Sequence, residues 1–586
     1  MTETVEGREV PPPGAAPRPY TAAPPPDPHP APPVRGEASQ PSGPQSSGPQ
    51  PPRVQPSRAQ PAAGGERLGR FLARAAAFTA ALTVAGAVLG LVRDQAVARL
   101  FGAGAASDAF LVAWTVPEMA STLLIEDGLA LLLVPAFSHA LARRAALRPR
   151  EPDPVRALVA YTLPRLVLLA GCATVLLMLA APWVVAALAP GLARPDLAVA
   201  CMRWTALTLL GFALAGYLSA GLRAHRSFTA PATIYVAYNI GIIGMLLALH
   251  ELWGVRAAAA GVAAGSLLMV LVQLPAALRH RPPRTSRKAR AGRASAALLS
   301  WAVIAPVVLF TTTRQLQVLV ERYLAAGLEA GAISHLNYAQ KVAQIPMILS
   351  LMVCTVTFPV VAKAMAEGDA ERVRQRVQRD LGSAALVVLV GTALVIGYAP
   401  QIVEVLFQRG AFDAGDTATT AGVMRVYALG LLGQCLVGNL CRSYFSAHRP
   451  TWYPLAAMAA GLTATTVAGA WTVTVWGSYG IAGANALGIS ITAGLLLCGL
   501  GRRVVPVRMR RLLLSLARLT AACAVAAGAG WMLGGRLPDA LLSLALGCVL
   551  VPLLFAATGV ALRAPEPADA LSVLLNALRR KGRDAR

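Results

Sequence analysis

The sequence predicts an all-α polytopic membrane protein. About fourteen transmembrane helices form two parallel six-helix repeats around a central cavity, followed by two C-terminal helices. Three observations carry this. Of 586 residues, 56% are hydrophobic and only 14% charged, where soluble domains carry about 25% charge; mean hydropathy is +0.56. Apolar runs of membrane-crossing length recur, with basic connections on one side only. And the chain echoes itself at a spacing near 225 residues.

Residues 1–65 contain PPPGAAPRPYTAAPPPDPHPAPP and lack the apolar core of a signal peptide. Such a composition buries too little apolar surface to fold, so a Pro-rich cytoplasmic tail is expected. ERLGRFLARA (66–75) is basic and amphipathic, suited to a membrane surface.

A span needs about 20 apolar residues. Runs of that kind centre on 76–97, 107–140, 156–188, 197–223, 228–250, 255–278, 294–323, 331–364, 380–407, 416–446, 451–475, 478–500, 511–534 and 539–562. Several exceed the bilayer thickness, so tilts and bends are expected. Pro117 and the trio Glu126–Asp127–Gly128 mark the second for a break.

The even-numbered connections are basic: ARRAALRPREPDPVR, RAHRS, RHRPPRTSRKARAGR, ERVRQRVQR, AHRP, GRRVVPVRMRR and the terminal LRRKGRDAR. The alternate ones (APGLARPD, AAGLEAG, GSYG, GGRLPD) are nearly uncharged. This is the positive-inside pattern and predicts that both termini are cytoplasmic. The net charge of +25 sits in these connections, so nucleic acid is not expected as a partner.

MRWTAL (202–207) returns as MRVYAL (424–429), AHRSFTAP (224–231) as AHRPTWYP (447–454), and AGAASD (103–108) as AGAISH (330–335). Three echoes in one order predict two copies with parallel topology, which characteristically rock about a central path. The expected organisation is a tail (1–65), an N-terminal lobe (66–278), a basic linker (279–293), a C-terminal lobe (294–503), two added helices (504–563) and a basic tail (564–586).

The cysteines show no metal-ligand spacing. GxxxxGK[ST], HExxH and GxSxG are absent, and GAGAAS (102–107) lacks the third glycine of a dinucleotide fingerprint. No metal, cofactor or catalytic residue is therefore expected; the class indicated is a secondary transporter rather than an enzyme.

Polar residues inside spans are then the candidates. Asp108, Thr115, Thr122 and Glu126 share one face of the second span; Arg314, Gln317 and Glu321 one face of the seventh; Ser334, Asn337, Lys341 and Gln344 one face of the eighth. The functional reading is a wet cavity in which Arg93, Arg314 and Lys341 receive an anion. The bland reading is ion pairs between helices, such as Arg93 with Asp108. Aligning VLGLVRD with VLFTTTRQ sets Arg93 opposite Arg314, and two guanidiniums suit a pyrophosphate. Arg165, Arg203 and Arg425 lie near span ends, where snorkelling explains them.

GLVRDQAVARLFGAGAASDAF (90–110) resembles the first-span motif of the MurJ/MviN family of lipid II flippases. LNYAQKVAQIP (336–346) is similar to its span-8 motif, and LFQRGAFDAGDT (406–417) to its loop between spans 9 and 10. The resemblance covers about residues 70–560. It implies the multidrug/oligosaccharidyl-lipid/polysaccharide exporter fold, two lobes in a V around a cationic cavity, with the last two helices forming a lipid groove. The implied substrate is a polyprenyl-pyrophosphate glycan, with membrane lipids as partners and wall-synthesis proteins as candidates for the N-terminal tail. Arg93 and Asp108 match cavity residues, Lys341 falls at a position usually held by Arg, and Glu126 matches an acidic position. Ala87 and Ser121 stand where the family carries Arg, and Gln340 and Gln344 replace acids beside the span-8 cation. The expected activity is alternating-access translocation of lipid II across the cytoplasmic membrane. The alternatives are another polyprenyl-linked glycan or a non-transporting scaffold of the same fold. A drug or cation exporter is disfavoured, because a cation cavity should be acidic.

Overall fold

The computed structural model describes residues 63–146, 153–280, 301–347, 349–350, 370–445, 452–503 and 508–567, and Glu66–Arg586 forms one compact unit. The expectations for the tail 1–62, most of the linker and the basic end 568–586 lie outside the described residues.

The described elements are helical: α1 (Ala63–Phe101), α2 (Ala105–Ser121), α3 (Gly128–Ala145), α4 (Pro154–Leu188), α5 (Pro195–Ala206), α6 (Thr208–Ala224), α7 (Thr229–Trp253) and α8 (Arg256–Arg279) make the first half. The second half holds α9 (Trp301–Ala325), α10 (Ala332–Ala343), α11 (Ala370–Phe407), α12 (Ala414–Ala428), α13 (Leu431–Phe445) and α14 (Tyr453–Arg503); α15 (Met509–Gly534) and α16 (Ala540–Ala561) follow. Residues Thr122–Asp127 form a π-helical turn between α2 and α3. The second span therefore changes helical pitch over Thr122–Asp127, just ahead of and into the polar trio, while α2 runs through Pro117. Gly216 permits this, because a Cβ there would lie 2.1 Å from the Leu124 carbonyl oxygen.

Among the described residues ten helices are long and apolar enough to cross a membrane, or eleven if α12 and α13 form one bent span. This count does not confirm the expected fourteen: it covers only the described residues and takes α14 as one helix. The 51 residues of α14 would stretch about 77 Å as one helix, more than twice the hydrocarbon core. Gly477 instead breaks it at φ 51, ψ −130. Thr472 Oγ1 donates to the Gly480 carbonyl at 3.0 Å, and Thr492 Oγ1 to that of Ala457 at 3.4 Å. The two arms thus pack antiparallel. Helix α9 carries Arg314, Glu321 and Arg322, too much charge for a simple apolar span. Helix α10 has 12 residues, and part of the run expected to continue it (351–369) is outside the described residues.

The sequence echoes mark matching structural events. MRWTAL and MRVYAL both end where a helix falters: the Leu207 N–H reaches back to Trp204 O at 3.3 Å and the Leu429 N–H to Val426 O at 3.2 Å, three residues instead of four. Gly254 (φ 56, ψ −139) reverses the chain between α7 and α8 as Gly477 does between the arms of α14. This backbone region is open essentially to glycine alone. Gly477→Ala is expected to cost about 1–3 kcal/mol. Gly171→Ala, within α4 and with nothing within 4 Å of the added Cβ, is expected to cost nothing. Thermal unfolding in detergent checks the pair.

Helices α15 and α16 pack on α11 through small residues. Gly397 lies against Gly530, the Tyr398 ring covers Gly547, and Gln401 Nε2 donates to the Gly534 carbonyl at 2.7 Å.

Candidate functional site

Arg93 lies eight residues before the end of α1, and Lys341 nine residues after the start of α10. At 1.5 Å per residue both sit roughly 12–14 Å below the same end of the molecule. That shared depth lets the two halves meet. Arg93 Nε and Nη2 donate to Asp94 Oδ1 at 3.1 and 2.9 Å. Lys341 Nζ lies 3.4 Å from Asp94 Oδ2. One buried carboxylate thus joins a cation from each half. Arg93 Nη1 donates to Asn239 Oδ1 at 3.1 Å, and the Asn239 amide is fixed by the carbonyls of Gly86 and Tyr235. The Trp114 ring lies under both cations, 4.5 Å from the guanidinium carbon and 4.8 Å from Nζ. Its quadrupole attracts each. A buried charge at bilayer depth is tolerable only with partners of this kind.

The end nearest the cluster is shut by a polar latch. Helix α10 begins at Gly331, which has no side chain to cap it. Asp108 of α2 supplies the cap from the other half. Its Oδ2 accepts from Gly331 N at 2.7 Å, and its Oδ1 from Ser334 N and Oγ at 2.8 and 2.6 Å. A carboxylate is favoured there by the orphan N–H groups and the helix dipole. The Ala411 N–H donates to Arg99 O at 2.8 Å, and the Ala103 N–H to Asp416 Oδ2 at 3.3 Å. His335 Nε2 lies 3.6 Å from Asp416 Oδ1, and its Nδ1 2.8 Å from Thr420 Oγ1. Backbones touch closely: a Cβ on Gly102 would meet Ala411 O at 2.5 Å, one on Gly331 Ala103 O at 2.3 Å, and one on Gly410 Arg99 O at 2.3 Å. All three glycines have positive φ. Behind this contact Tyr338, Phe407 and Phe412 pack ring on ring. LFQRGAFDAGDT (406–417) and RLFGAGAASD (99–108) are thus two faces of one closure.

A second buried polar group lies in the C-terminal half. Arg322 donates to Ile333 O at 3.1 Å and Asn337 Oδ1 at 2.9 Å. Glu321 accepts from Tyr427 OH at 2.8 Å and from the Asn485 amide.

The expected site residues are therefore distributed. Arg93 and Lys341 are brought together. Asp108 is not Arg93's partner; it caps α10. Asn337 is 4% exposed and engaged by Arg322. Gln344 is half-buried at the C-cap of α10. Arg314 is exposed midway along α9, with no ion pair or hydrogen bond to it among the described residues, and does not meet Arg93. The side chain of Glu126 lies outside the described residues. Of the second-span stripe, Thr115 donates to its own helix at Leu111 O, and Thr122 Oγ1 accepts from Gln315 of α9.

Sequence reasoning missed Asp94, Trp114, Asn239 and Arg322. Neighbours in a helix ordinarily diverge, so Asp94 was not paired with Arg93; the long arginine folds back to reach it. The face of α2 toward the cations is that of Trp114 and Glu118, one position from the predicted stripe. Threonine misled because its hydroxyl satisfies itself on the preceding turn.

The family model described as lipid II flippase MurJ matches residues 97–548. A lipid II flippase MurJ of Burkholderia cenocepacia is 27% identical over 383 residues, covering 63% of this chain and 73% of that protein. A probable lipid II flippase MurJ of Vibrio cholerae is 25% identical over 478 residues, 78% of this chain and 88% of that one. Among solved structures, a lipid II flippase MurJ in an inward closed conformation aligns with TM-score 0.66 at 18% identity, covering 82% of this chain and 98% of that one. An inward-facing multidrug resistance MATE family transporter of the MOP superfamily aligns with TM-score 0.58 at 15% identity, covering 73% and 95%.

Proposed function

The chain belongs to the lipid II flippase MurJ family, and from that premise we propose that it translocates lipid II across the cytoplasmic membrane for cell-wall synthesis. The observation that carries the mechanism is the shared carboxylate. Arg93 and Lys341, one from each half, hold Asp94 between them. A pyrophosphate can take the place of that carboxylate, because guanidinium and ammonium groups grip phosphate oxygens by charge-assisted bonds. Arg314, midway along α9 and without an ion pair among the described residues, needs water or an anion rather than lipid around it, and adds a third positive group. Gln344 and Glu126 complete the proposed cavity.

The two halves act as lobes, 66–278 and 294–503, joined by the basic linker 279–293. By the positive-inside rule the latch closes the outer side and both termini are cytoplasmic. The head group then loads from the inside, while the prenyl chain stays in lipid beside α15 and α16. Release of α10 by Asp108 opens the outer side. With no phosphate-loop motif in the sequence, the bias comes from an ion gradient or the membrane potential.

Ala87 and Ser121 favour a second reading, another polyprenyl-pyrophosphate glycan. Ala87 is exposed without charge, and Ser121 Oγ donates to Glu118 O at 2.8 Å. The test is complementation of a strain depleted of its own flippase, reading head-group translocation. Restored lipid II translocation supports the proposal. Restoration with a different glycan only selects the second reading, and no translocation of either sinks both.

A further inference from the structure

A second site lies away from this path, within the N-terminal half. Helices α3, α4, α6 and α8 enclose a cavity of ≈ 390 Å³, within the usual range of roughly 300–1,000 Å³ for small-molecule sites. Its walls run from Leu214 to His225 on α6 and from Val270 to His280 on α8. Ten or eleven helical residues span about 15 Å, half of the hydrocarbon core and so the depth of one leaflet. The walls are hydrocarbon. The one phenol, Tyr217, is spent on Thr162, 2.8 Å away, whose hydroxyl in turn donates to Leu158 O.

The mouth is different. The rings of His225 and His280 lie 4.7 Å apart at the end that carries the basic connections. Arg226 and Arg279 follow and precede them in the chain and are exposed. No carboxylate pairs with either arginine among the described residues. Arg144 is instead held by Asp153, at 3.4 Å. Arg226 also has φ 58, with Ser227 N bonded to Leu222 O at 2.9 Å, the turn in which glycine usually ends a helix. An arginine there costs about 1 kcal/mol of backbone strain. The turn thus sets the Arg226 charge beside the mouth, where an anion would meet it. Burial and the neighbouring His225 hold His280 below the ordinary imidazole range.

We propose that this cavity binds an anionic glycerophospholipid of the leaflet facing the basic connections, with one acyl chain between α3, α4, α6 and α8 and the phosphate at His225, His280, Arg226 and Arg279. The lipid is not the transported substrate. It braces α3, the segment after the π-turn, against α6 and α8.

The test uses the full chain in nanodiscs with photoactivatable acyl chains on phosphatidylglycerol or phosphatidylcholine. Phosphatidylglycerol is expected to label residues 155–163, 214–222 and 270–278 above all other membrane-facing segments. Gly221→Leu adds bulk at the cavity wall, where a Cβ meets the Phe137 ring at an ordinary contact distance of 3.6 Å; it should lose that label. Arg226→Gln with Arg279→Gln should weaken phosphatidylglycerol labelling roughly thirtyfold, the effect of two interfacial cations, and leave phosphatidylcholine unchanged. Equal labelling by the two lipids, undiminished labelling in Gly221→Leu, or cross-links from linker residues 281–300 into the cavity would each overturn the proposal. Gly221→Leu that loses the label yet still translocates head groups separates this site from the transport path.

Discussion

Replacing Asp108 by alanine unlocks the closed end of the transporter. Spin labels at the exposed positions Asp196 and Gln408, one on each half at that end, will show one short distance in the parent. Asp108→Ala will add a longer population. Three hydrogen bonds to one buried carboxylate disappear, and the N–H groups of Gly331 and Ser334 lose their acceptor. Bonds to charged groups contribute about 1.5–3 kcal/mol each, so a net loss of about 3 kcal/mol is a low figure. Such a bias shifts a two-state equilibrium by roughly a hundredfold. Asp108→Asn keeps one acceptor oxygen and should fall between. An unchanged distance distribution in Asp108→Ala would remove the latch from the mechanism.

The second large effect is at Asp94. Asp94→Asn leaves Arg93 and Lys341 facing each other across Trp114 without their contacting carboxylate; Glu118 acts on them only from a distance. An unpaired buried charge costs about 3–5 kcal/mol, so the variant should melt at markedly lower temperature than the parent. The substrate supplies the missing anion. A pyrophosphate lipid should therefore restore more thermal stability to Asp94→Asn than to the parent, since stabilisation by a ligand rises with the logarithm of its affinity. Turnover should fall, because nothing displaces the pyrophosphate once it is bound. Equal stabilisation of both proteins by the lipid would show that Asp94 does not compete for that position.

What the sequence made legible follows from what a bilayer demands. Apolar runs, basic connections and the echoes at MRWTAL and MRVYAL each reflect a constraint acting on every span, so composition reports them directly. An irregularity of the second span was legible at Glu126–Asp127–Gly128, although it takes the form of a π-helical turn over Thr122–Asp127 rather than a break. The count of spans was less legible at α9, whose charges a hydropathy criterion rejects, whereas the reversal at Gly477 falls in the connection GSYG that already separated runs 451–475 and 478–500. For the site, Arg93 and Lys341 stood out as isolated cations in apolar surroundings. Their common partner did not, since Asp94 sits beside Arg93 in the chain, where side chains ordinarily point apart. The register that set Arg93 opposite Arg314 compared residue types. The structure matches instead the depth of Arg93 with that of Lys341, across different spans of the two halves. Asp108 looked like a cavity charge because its use, capping a helix more than two hundred residues away, leaves no local signal.

The central claim is that one anion position lies between Arg93 and Lys341 and is held by Asp94 until substrate arrives. Equilibrium binding of lipid II to four purified proteins tests it: the parent, Arg93→Gln, Lys341→Gln and Asp94→Asn. Affinity is predicted to fall in the first two variants and to rise above the parent in Asp94→Asn. A neutral-headed polyprenyl lipid should show no such order. If Asp94→Asn binds lipid II no more tightly than the parent while the two cation variants keep parental affinity, the pyrophosphate does not bind there and the account is wrong.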